Sequence, residues 1–159
     1  MIINLQPTPQ TQVLINKFRQ SPEILGRAMR QGIQEGCLFF KTKAQHFSPV
    51  DTTQLRGSIS SQVTSNTKGK IFTNTKYAPY QEYGTGIYAG KGYIYPKKAK
   101  FLVFKNKAGK LIFAKKVKGV KGRFYFKKAG EELKNSSIIL DNAITKVLKK
   151  ELWLTNKLL

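Results

Sequence analysis

One amphipathic stripe constrains this chain more than any other feature. Ser21-Pro22-Glu23 combines a preferred N-cap, a proline suited to the first helical turn and an acid at the positive helix end. After it, apolar residues recur at spacings of three and four: Leu25, Met29, Ile33, Cys37, Phe40, Ala44 and Phe47. The spacing predicts a helix over 21–47 with one buried face. Gly32 and Gly36 each weaken that helix by about 1 kcal/mol relative to alanine, which favours close packing against another element.

Beyond residue 55 the apolar period changes to two, as is typical of antiparallel strands. Five strands are predicted, at Ile59–Thr64, Lys70–Thr75, Tyr93–Tyr95, Phe101–Lys105 and Leu111–Val117. Residues 65–69 and 106–109 carry hairpin-loop signals between them. The sequence therefore predicts a β-meander over 55–117. Its last two strands are apolar on both faces, so they are expected inside the domain or against a neighbouring subunit.

The remaining segments are predicted to be helical at both ends of the chain. An N-terminal arm, 1–20, contains a short helix over 10–20, and a final helix runs over 126–153 before an apolar tail, 154–159. At 159 residues the chain is predicted to form a single domain. The expected fold class is α+β, with an antiparallel sheet of about five strands packed against a long N-terminal helix and a C-terminal helix.

The formal net charge of +21 points to polyanionic or acidic partners, because such a field on a compact domain otherwise costs stability through self-repulsion. The first residues lack the basic and apolar regions of a signal peptide. No apolar run approaches the roughly 18 residues that span a bilayer. We therefore expect a soluble protein made in the cytoplasm, without membrane contact.

Side chains for catalysis are scarce. The only histidine, His46, lies at the end of the long helix, where it complements the helix dipole, and the only cysteine, Cys37, falls on its buried face. Neither a catalytic triad nor a cysteine-based zinc site can be drawn, and no cofactor or enzymatic activity is expected. Asp51 and Glu82 are the only acids in loop-like motifs. A metal-dependent nuclease built on this pair remains an alternative.

Two short motifs instead have the pattern of turns. Asp51, with Gln54 three residues later, resembles a capping box that opens a short turn, which Leu55 anchors in the core. In the second motif Pro79 suits the start of a helical turn and Gly84 its left-handed end. The residues predicted to build both turns are Pro49, Asp51, Leu55, Ser58, Tyr77, Pro79, Glu82 and Gly84.

These motifs carry a family resemblance. Pro49-Val50-Asp51-Thr52-Thr53-Gln54-Leu55-Arg56-Gly57-Ser58-Ile59 and Tyr77-Ala78-Pro79-Tyr80-Gln81-Glu82-Tyr83-Gly84-Thr85 resemble segments of the neck or tail-completion (head–tail joining) proteins of long-tailed bacteriophages. The similarity continues through Pro96-Lys97-Lys98-Ala99 and the glycine-rich loop and aromatic pair of 118–129, and covers 22–150. Those proteins usually have glycine at Thr53 and a proline near Phe124, and this chain has neither.

The resemblance implies a non-enzymatic virion subunit with a fold related to tail-terminator proteins. Such a subunit forms a ring with copies of itself, expected to be a hexamer, between the head connector and the tail tube. Its implied partners are head-completion or connector proteins, the tail tube protein and packaged double-stranded DNA. Assembly would take place in the cytoplasm of a bacterial host.

Two sets of residues are predicted to make these contacts. Candidates for the DNA channel or for an acidic partner are Lys91, Lys97, Lys98, Lys100, Lys115, Lys116, Lys118, Lys121 and Arg123. Candidates for contacts between subunits are Tyr80, Tyr83, Phe101, Phe104, Phe113, Trp153 and Leu158. The main alternative is a free-standing nucleic-acid-binding domain whose aromatic residues stack on bases: Tyr93, Tyr95, Phe101, Phe104, Phe124 and Phe126.

Overall fold

The computed structural model describes residues 2–3, 7–17, 21–49, 53–106, 108–136 and 138–157. The chain divides into two compact units. We call the first the helical unit; it consists of residues 1–74 and 125–159. The second, the hairpin unit, consists of residues 75–124. The prediction of a single domain remains a prediction.

The long helix is confirmed as α2, Pro22–Phe47. Its proline lies in the first turn, and the helix ends where the Ser48 amide donates to the Ala44 carbonyl oxygen. The stripe buries Ile33, Cys37, Phe40 and Ala44, as predicted, while Leu25, Met29 and Phe47 are half-buried. Burial raises the pKa of the Cys37 thiol above its ordinary value, which is consistent with a structural rather than a reactive cysteine.

Two C-terminal helices pack on α2. The single helix predicted over 126–153 is divided into α5, Tyr125–Asn135, and α6, Ile138–Lys157. The break follows Asn135, where the sequence Asn135-Ser136-Ser137 interrupts the apolar stripe with residue types that are poor helix formers. On α5, the Phe126 ring meets the Phe40 ring edge to face, with centroids 5.5 Å apart.

The contact between α2 and α6 is a close one. Ala28 of α2 forms a buried cluster with Ile144 and Leu148 of α6. One turn further along, Gly32 lets the two helices approach, because a Cβ at that position would lie 2.7 Å from Cγ1 of Ile144. The close packing expected from the helix glycines is therefore confirmed at Gly32, because even the methyl group of an alanine would be too large at this position.

The other side of α2 covers a small antiparallel sheet. Its strands are β1, Ile2–Ile3, β2, Ile59–Ser65, and β3, Lys68–Thr73, in the order β1-β3-β2. Ile59 is in register with Thr73, and Ser61 with Ile71. Alternate residues of β2 and β3, including buried Ile59 and Ile71, therefore face α2. Two further helices belong to this unit, α1, Pro9–Lys17, and α3, Thr53–Ser58.

The predicted five-strand meander is wrong for the part of the chain that the structure describes. The first two predicted strands form β2 and β3, and the last two form a separate two-stranded hairpin, β4, Leu102–Lys105, and β5, Leu111–Ala114. The strand predicted at Tyr93–Tyr95 is only an isolated bridge between Ile94 and Val117. Prolines and positive-φ glycines over residues 79–96 prevent a continuous ladder there.

That intervening region forms short helical turns instead. The helix α4 spans Ala78–Tyr83, and a 3₁₀ turn follows at Gly86–Ala89. No helix in the described ranges is long and apolar enough to cross a membrane.

Replacing Phe40 tests whether α2 is the centre of the helical unit. Phe40 is fully buried, so Phe40→Ala should lower the free energy of unfolding by about 3–5 kcal/mol, because apolar burial is removed and a cavity is left behind. Ile138→Ala, which truncates a side chain that is 65% exposed, should change it by about 0.5 kcal/mol or less. Urea unfolding followed by far-ultraviolet circular dichroism measures both. Equal reductions would contradict this description of the core.

Candidate assembly and polyanion-binding surface

The hairpin unit brings together two motifs that lie far apart in the sequence. Residues 81–87, from the Tyr-rich motif, run antiparallel to residues 117–124, from the glycine-rich loop. Backbone amides of Thr85 and Ile87 donate to the carbonyl oxygens of Val120 and Lys118, at 2.8 and 3.0 Å. In the other direction, the Arg123 amide donates to the Gln81 carbonyl oxygen at 2.8 Å. We call this crossing the glycine clasp.

Gly84 explains why the clasp needs glycine. Its φ of +82° is positive, but its ψ of −172° lies outside the left-handed helical region predicted for the end of the turn. Gly84 instead occupies an extended region that is essentially restricted to glycine. A Cβ there would lie 2.6 Å from the Val120 carbonyl oxygen and 2.7 Å from the Gly122 amide nitrogen. Both neighbours are backbone atoms, which cannot move aside as a flexible side chain could. The two segments can cross only because no side chain separates them.

The turn that leads into the clasp is α4. Pro79 lies in its first turn, as predicted, and the Gly84 amide closes it by donating to the Tyr80 carbonyl oxygen at 2.9 Å. Tyr80 and Tyr83 are 58% and 64% exposed, whereas Tyr77 is half-buried. The phenol groups at Tyr80 and Tyr83 thus present large amphipathic surfaces to the outside.

Glu82 is the only acidic residue among residues 75–124, and it is buried. Its carbonyl oxygen accepts a hydrogen bond from the Phe124 amide, at 3.1 Å. Asp51, its partner in the nuclease alternative, lies outside the described residues. Among the residues that are described, no group of three or more histidines, cysteines or acids could hold a metal ion.

The surface charge of the hairpin unit is of one sign. The unit contains thirteen lysines and arginines against Glu82 alone, a formal charge of +12 out of the +21 of the chain. All nine basic residues predicted for a channel or acidic partner are exposed there: Lys91, Lys97, Lys98, Lys100, Lys115, Lys116, Lys118, Lys121 and Arg123. Because the one acid of the unit is buried, the exposed charged side chains described in this unit are all basic.

Aromatic rings lie beside some of these cations. The Lys116 ammonium is 4.7 Å from the centroid of the Tyr93 ring, and the Lys121 ammonium is 5.7 Å from that of Tyr88. At these distances the ring quadrupole attracts the cation by about 0.5–1 kcal/mol at an exposed site. The contacts hold two otherwise flexible lysine chains near the unit rather than extended into solvent.

The β4–β5 hairpin exposes apolar side chains on both of its faces. Val103 is opposite Phe113 in the register, and the two side chains are 55% and 64% exposed. Phe101 and Leu111 extend the same face, at 40% and 51% exposed. On the opposite face Phe104 is 44% exposed. A two-stranded hairpin is only marginally stable by itself in water, so this much apolar surface is typical of a contact with another molecule.

The remaining interface candidate on a described residue is Trp153 of α6, which is 60% exposed. The last one, Leu158, lies outside the described residues. The predicted turn residues of the helical unit are in the core: Pro49 is buried and Leu55 is fully buried. The Ser58 hydroxyl lies 2.7 Å from the Leu55 carbonyl oxygen and 2.6 Å from the Thr73 hydroxyl, so it ties α3 to β3.

Sequence reasoning missed a buried carboxylate that holds the N-terminal arm. Oδ1 of Asp141, in the first turn of α6, accepts hydrogen bonds from the Thr8 amide at 3.1 Å and the Thr11 hydroxyl at 2.8 Å. It therefore fixes the start of α1 on α6. The signal in the sequence was Thr8-Pro9 before a short helix, but nothing local identified an acceptor 133 residues away.

Comparison with known proteins gives a match to a family of phage proteins. Residues 12–84 match the model of the family described as "Bacteriophage HK97-gp10, putative tail-component". The matched range includes α2, both turn motifs and the β2–β3 hairpin. No curated protein and no solved structure matches the chain. The resemblance identified from the motifs is thereby confirmed at the level of the family.

Substituting Gly84 tests the clasp. Gly84→Ala combines backbone strain with a clash against two backbone atoms, so we expect the hairpin unit to be destabilised by at least about 3 kcal/mol. Gly90→Ala is the matched control, because Gly90 also has a positive φ, +70°, but a Cβ there would meet nothing within 4 Å. It should cost only about 1–2 kcal/mol. Hydrogen exchange at the Thr85 and Ile87 amides measures how much each variant destabilises the hairpin unit. If Gly84→Ala and Gly90→Ala accelerate exchange equally, the two segments do not cross closely at Gly84.

Proposed function

We propose that the chain is a subunit of a neck or tail-completion ring, because residues 12–84 match the family model described as a bacteriophage tail component. The ring joins the head connector to the tail tube and surrounds the passage for DNA. It works by assembly rather than by catalysis. Six copies are the expected number, and the virion neck is the expected location.

The observation that carries the proposal is that the exposed charged side chains described in the hairpin unit are all positive. Twelve exposed lysines and arginines face solvent in the described part of this unit, and its only acid is buried. Attraction between such side chains and phosphates is independent of sequence and weakens with salt. A conduit for packaged DNA requires that kind of contact, because every base sequence must pass it. The same charges would also suit acidic surfaces of adjoining ring proteins.

The exposed apolar side chains support the assembly part of the proposal. Duplex DNA offers phosphates and base edges to a protein, so it gives little to cover Val103 and Phe113. A protein partner can cover them. In the proposed neck, the β4–β5 hairpin and the exposed tyrosines of α4 contact the head-completion or connector proteins and the tail tube protein, with Trp153 contributing from α6.

A second candidate function is favoured by the aromatic rings among the lysines. Tyr93, Tyr95, Phe101, Phe104 and Phe124 are all exposed. Stacking of bases on such rings contributes about 1–3 kcal/mol per base in proteins that bind single strands. A free-standing nucleic-acid-binding domain would use these rings directly, as a monomer.

The mass of the native particle separates the two candidates. A ring subunit should form, or join, a closed species of defined stoichiometry, close to six times 18.0 kDa for a hexamer. Native mass spectrometry and class averages of negatively stained particles measure it. A monomer at all concentrations that binds a single strand with nanomolar affinity would exclude the ring and support the second candidate.

Charge removal tests the DNA passage. We expect Lys97→Gln/Lys98→Gln/Lys100→Gln to weaken binding to duplex DNA equally for different sequences. The slope of log K against log salt should become shallower by about 0.9 for each phosphate that the variant no longer neutralises.

The control is Lys146→Gln/Lys149→Gln/Lys150→Gln, which removes the same charge from exposed positions on α6. It should leave the slope near that of the unmodified protein. Identical slopes for the two triple variants would mean that net charge, rather than the hairpin unit, determines DNA binding. Fluorescence anisotropy over a salt series provides the measurement.

A further inference from the structure

The outer strand of the helical unit's sheet lacks the protection that edge strands normally carry. In the part of the chain that the structure describes, β2 lies at the end of the strand order β1-β3-β2. One edge of β2 pairs with β3, and no described strand pairs with its other edge. An unpaired strand edge presents a row of amide and carbonyl groups that another strand can bind. Proteins usually block such an edge with lysines, prolines, bulges or very short strands.

None of these devices protects the middle of β2. With seven residues it is the longest strand described, and Ile59-Ser60-Ser61-Gln62-Val63-Thr64-Ser65 contains no charged residue and no proline. The chain has 29 lysines and arginines in 159 residues, so a stretch of seven carries more than one on average. The neighbouring β3 has two, Lys68 and Lys70. A register shift occurs only between Val63 and Ser65, next to the hairpin turn.

A groove runs beside this edge. It has a volume of about 380 Å³ and lies between α2 and β2. Arg30, Cys37 and Leu38 line it on the helix, and Ser61 and Val63 line it on the strand. Leu38 is 54% exposed although it adjoins the buried stripe of α2. A strand added to β2 would place alternate side chains over this groove, because successive side chains of a strand point to opposite faces.

From this edge and groove we infer that a strand of a second copy of this chain pairs with β2 and covers Leu38. The inference rests on the proposed ring and names the contact between its subunits. The net charge of the chain indicates which partner occupies the β2 edge. Two copies that each carry +21 repel one another, so a contact between them is opposed least where cations are sparse. The β2 strand carries no charged residue, and Arg30 is the single cation among the residues that line the groove. An acidic partner would instead be drawn to the exposed cations of the hairpin unit.

Lysines placed on the edge test the contact. Gln62→Lys/Thr64→Lys adds two charges to exposed positions of β2 and should lower the self-association constant at least about a hundredfold. Asn74→Lys/Asn135→Lys adds the same charge at exposed positions outside the strand and should lower it only slightly. Sedimentation velocity over a concentration series measures association, and far-ultraviolet circular dichroism verifies that both variants are folded.

Hydrogen exchange identifies the pairing itself. In the assembled wild-type protein, the peptide covering 59–65 should contain amides that exchange about ten times more slowly, or slower still, than in dilute monomer. Leu38→Ser removes the apolar side chain beside the groove and should weaken assembly. It should change the unfolding equilibrium constant of the monomer by no more than about twofold.

The outcomes separate the contact from the ring. A ring that persists in the Gln62→Lys/Thr64→Lys variant, with residues 59–65 still exchanging fast, overturns the β2 contact and leaves the ring intact. Protection of β2 in a species that stops at two subunits supports the contact and overturns the ring. The β2 contact and the ring are both overturned if the wild-type protein stays monomeric at every concentration. They are also overturned if β2 becomes protected only when an acidic protein is added.

Discussion

Burial of one face of α2, Pro22–Phe47, is the interaction on which the helical unit depends. The same helix packs against α5 and α6 on one side and the β2–β3 sheet on the other, so its apolar stripe is shared by every layer of the unit. Gly32 brings α6 within contact distance, and Phe40 fills the space towards α5. Removing this helix would expose all of these surfaces at once.

The hairpin unit depends on backbone rather than on a hydrophobic core. The glycine clasp joins residues 81–87 to 117–124 by direct amide-to-carbonyl bonds, and Gly84 makes the crossing possible. With few side chains turned inward, this unit leaves its lysines and aromatic rings outside, where they are available to phosphates and to protein partners. Its positive surface and its exposed β4–β5 hairpin therefore follow from the same construction.

The sequence predicted local features well and pairing between distant segments poorly. The α2 helix, the β2–β3 hairpin, the proline of α4 and the positive φ of Gly84 were all predicted, because each depends on spacing or on the conformational limits of one residue. The meander was wrong, since alternation within a short apolar run does not say which strand will pair with it. The Asp141 contact to α1 was missed for the same reason, as its partners are 130 and 133 residues away.

By itself, the sequence determined the resemblance to phage tail components over residues 12–84, the amphipathic helix and the excess of positive charge. These are properties of order, spacing and composition. Only the tertiary structure decided how the charge is distributed: Glu82 is withdrawn into the interior, and the lysines around it remain exposed. It also decided that β2 is an outer strand. Both outcomes depend on hydrogen bonding and packing between segments that are far apart in the sequence. The residues next to a segment in the sequence do not determine which distant segment it meets.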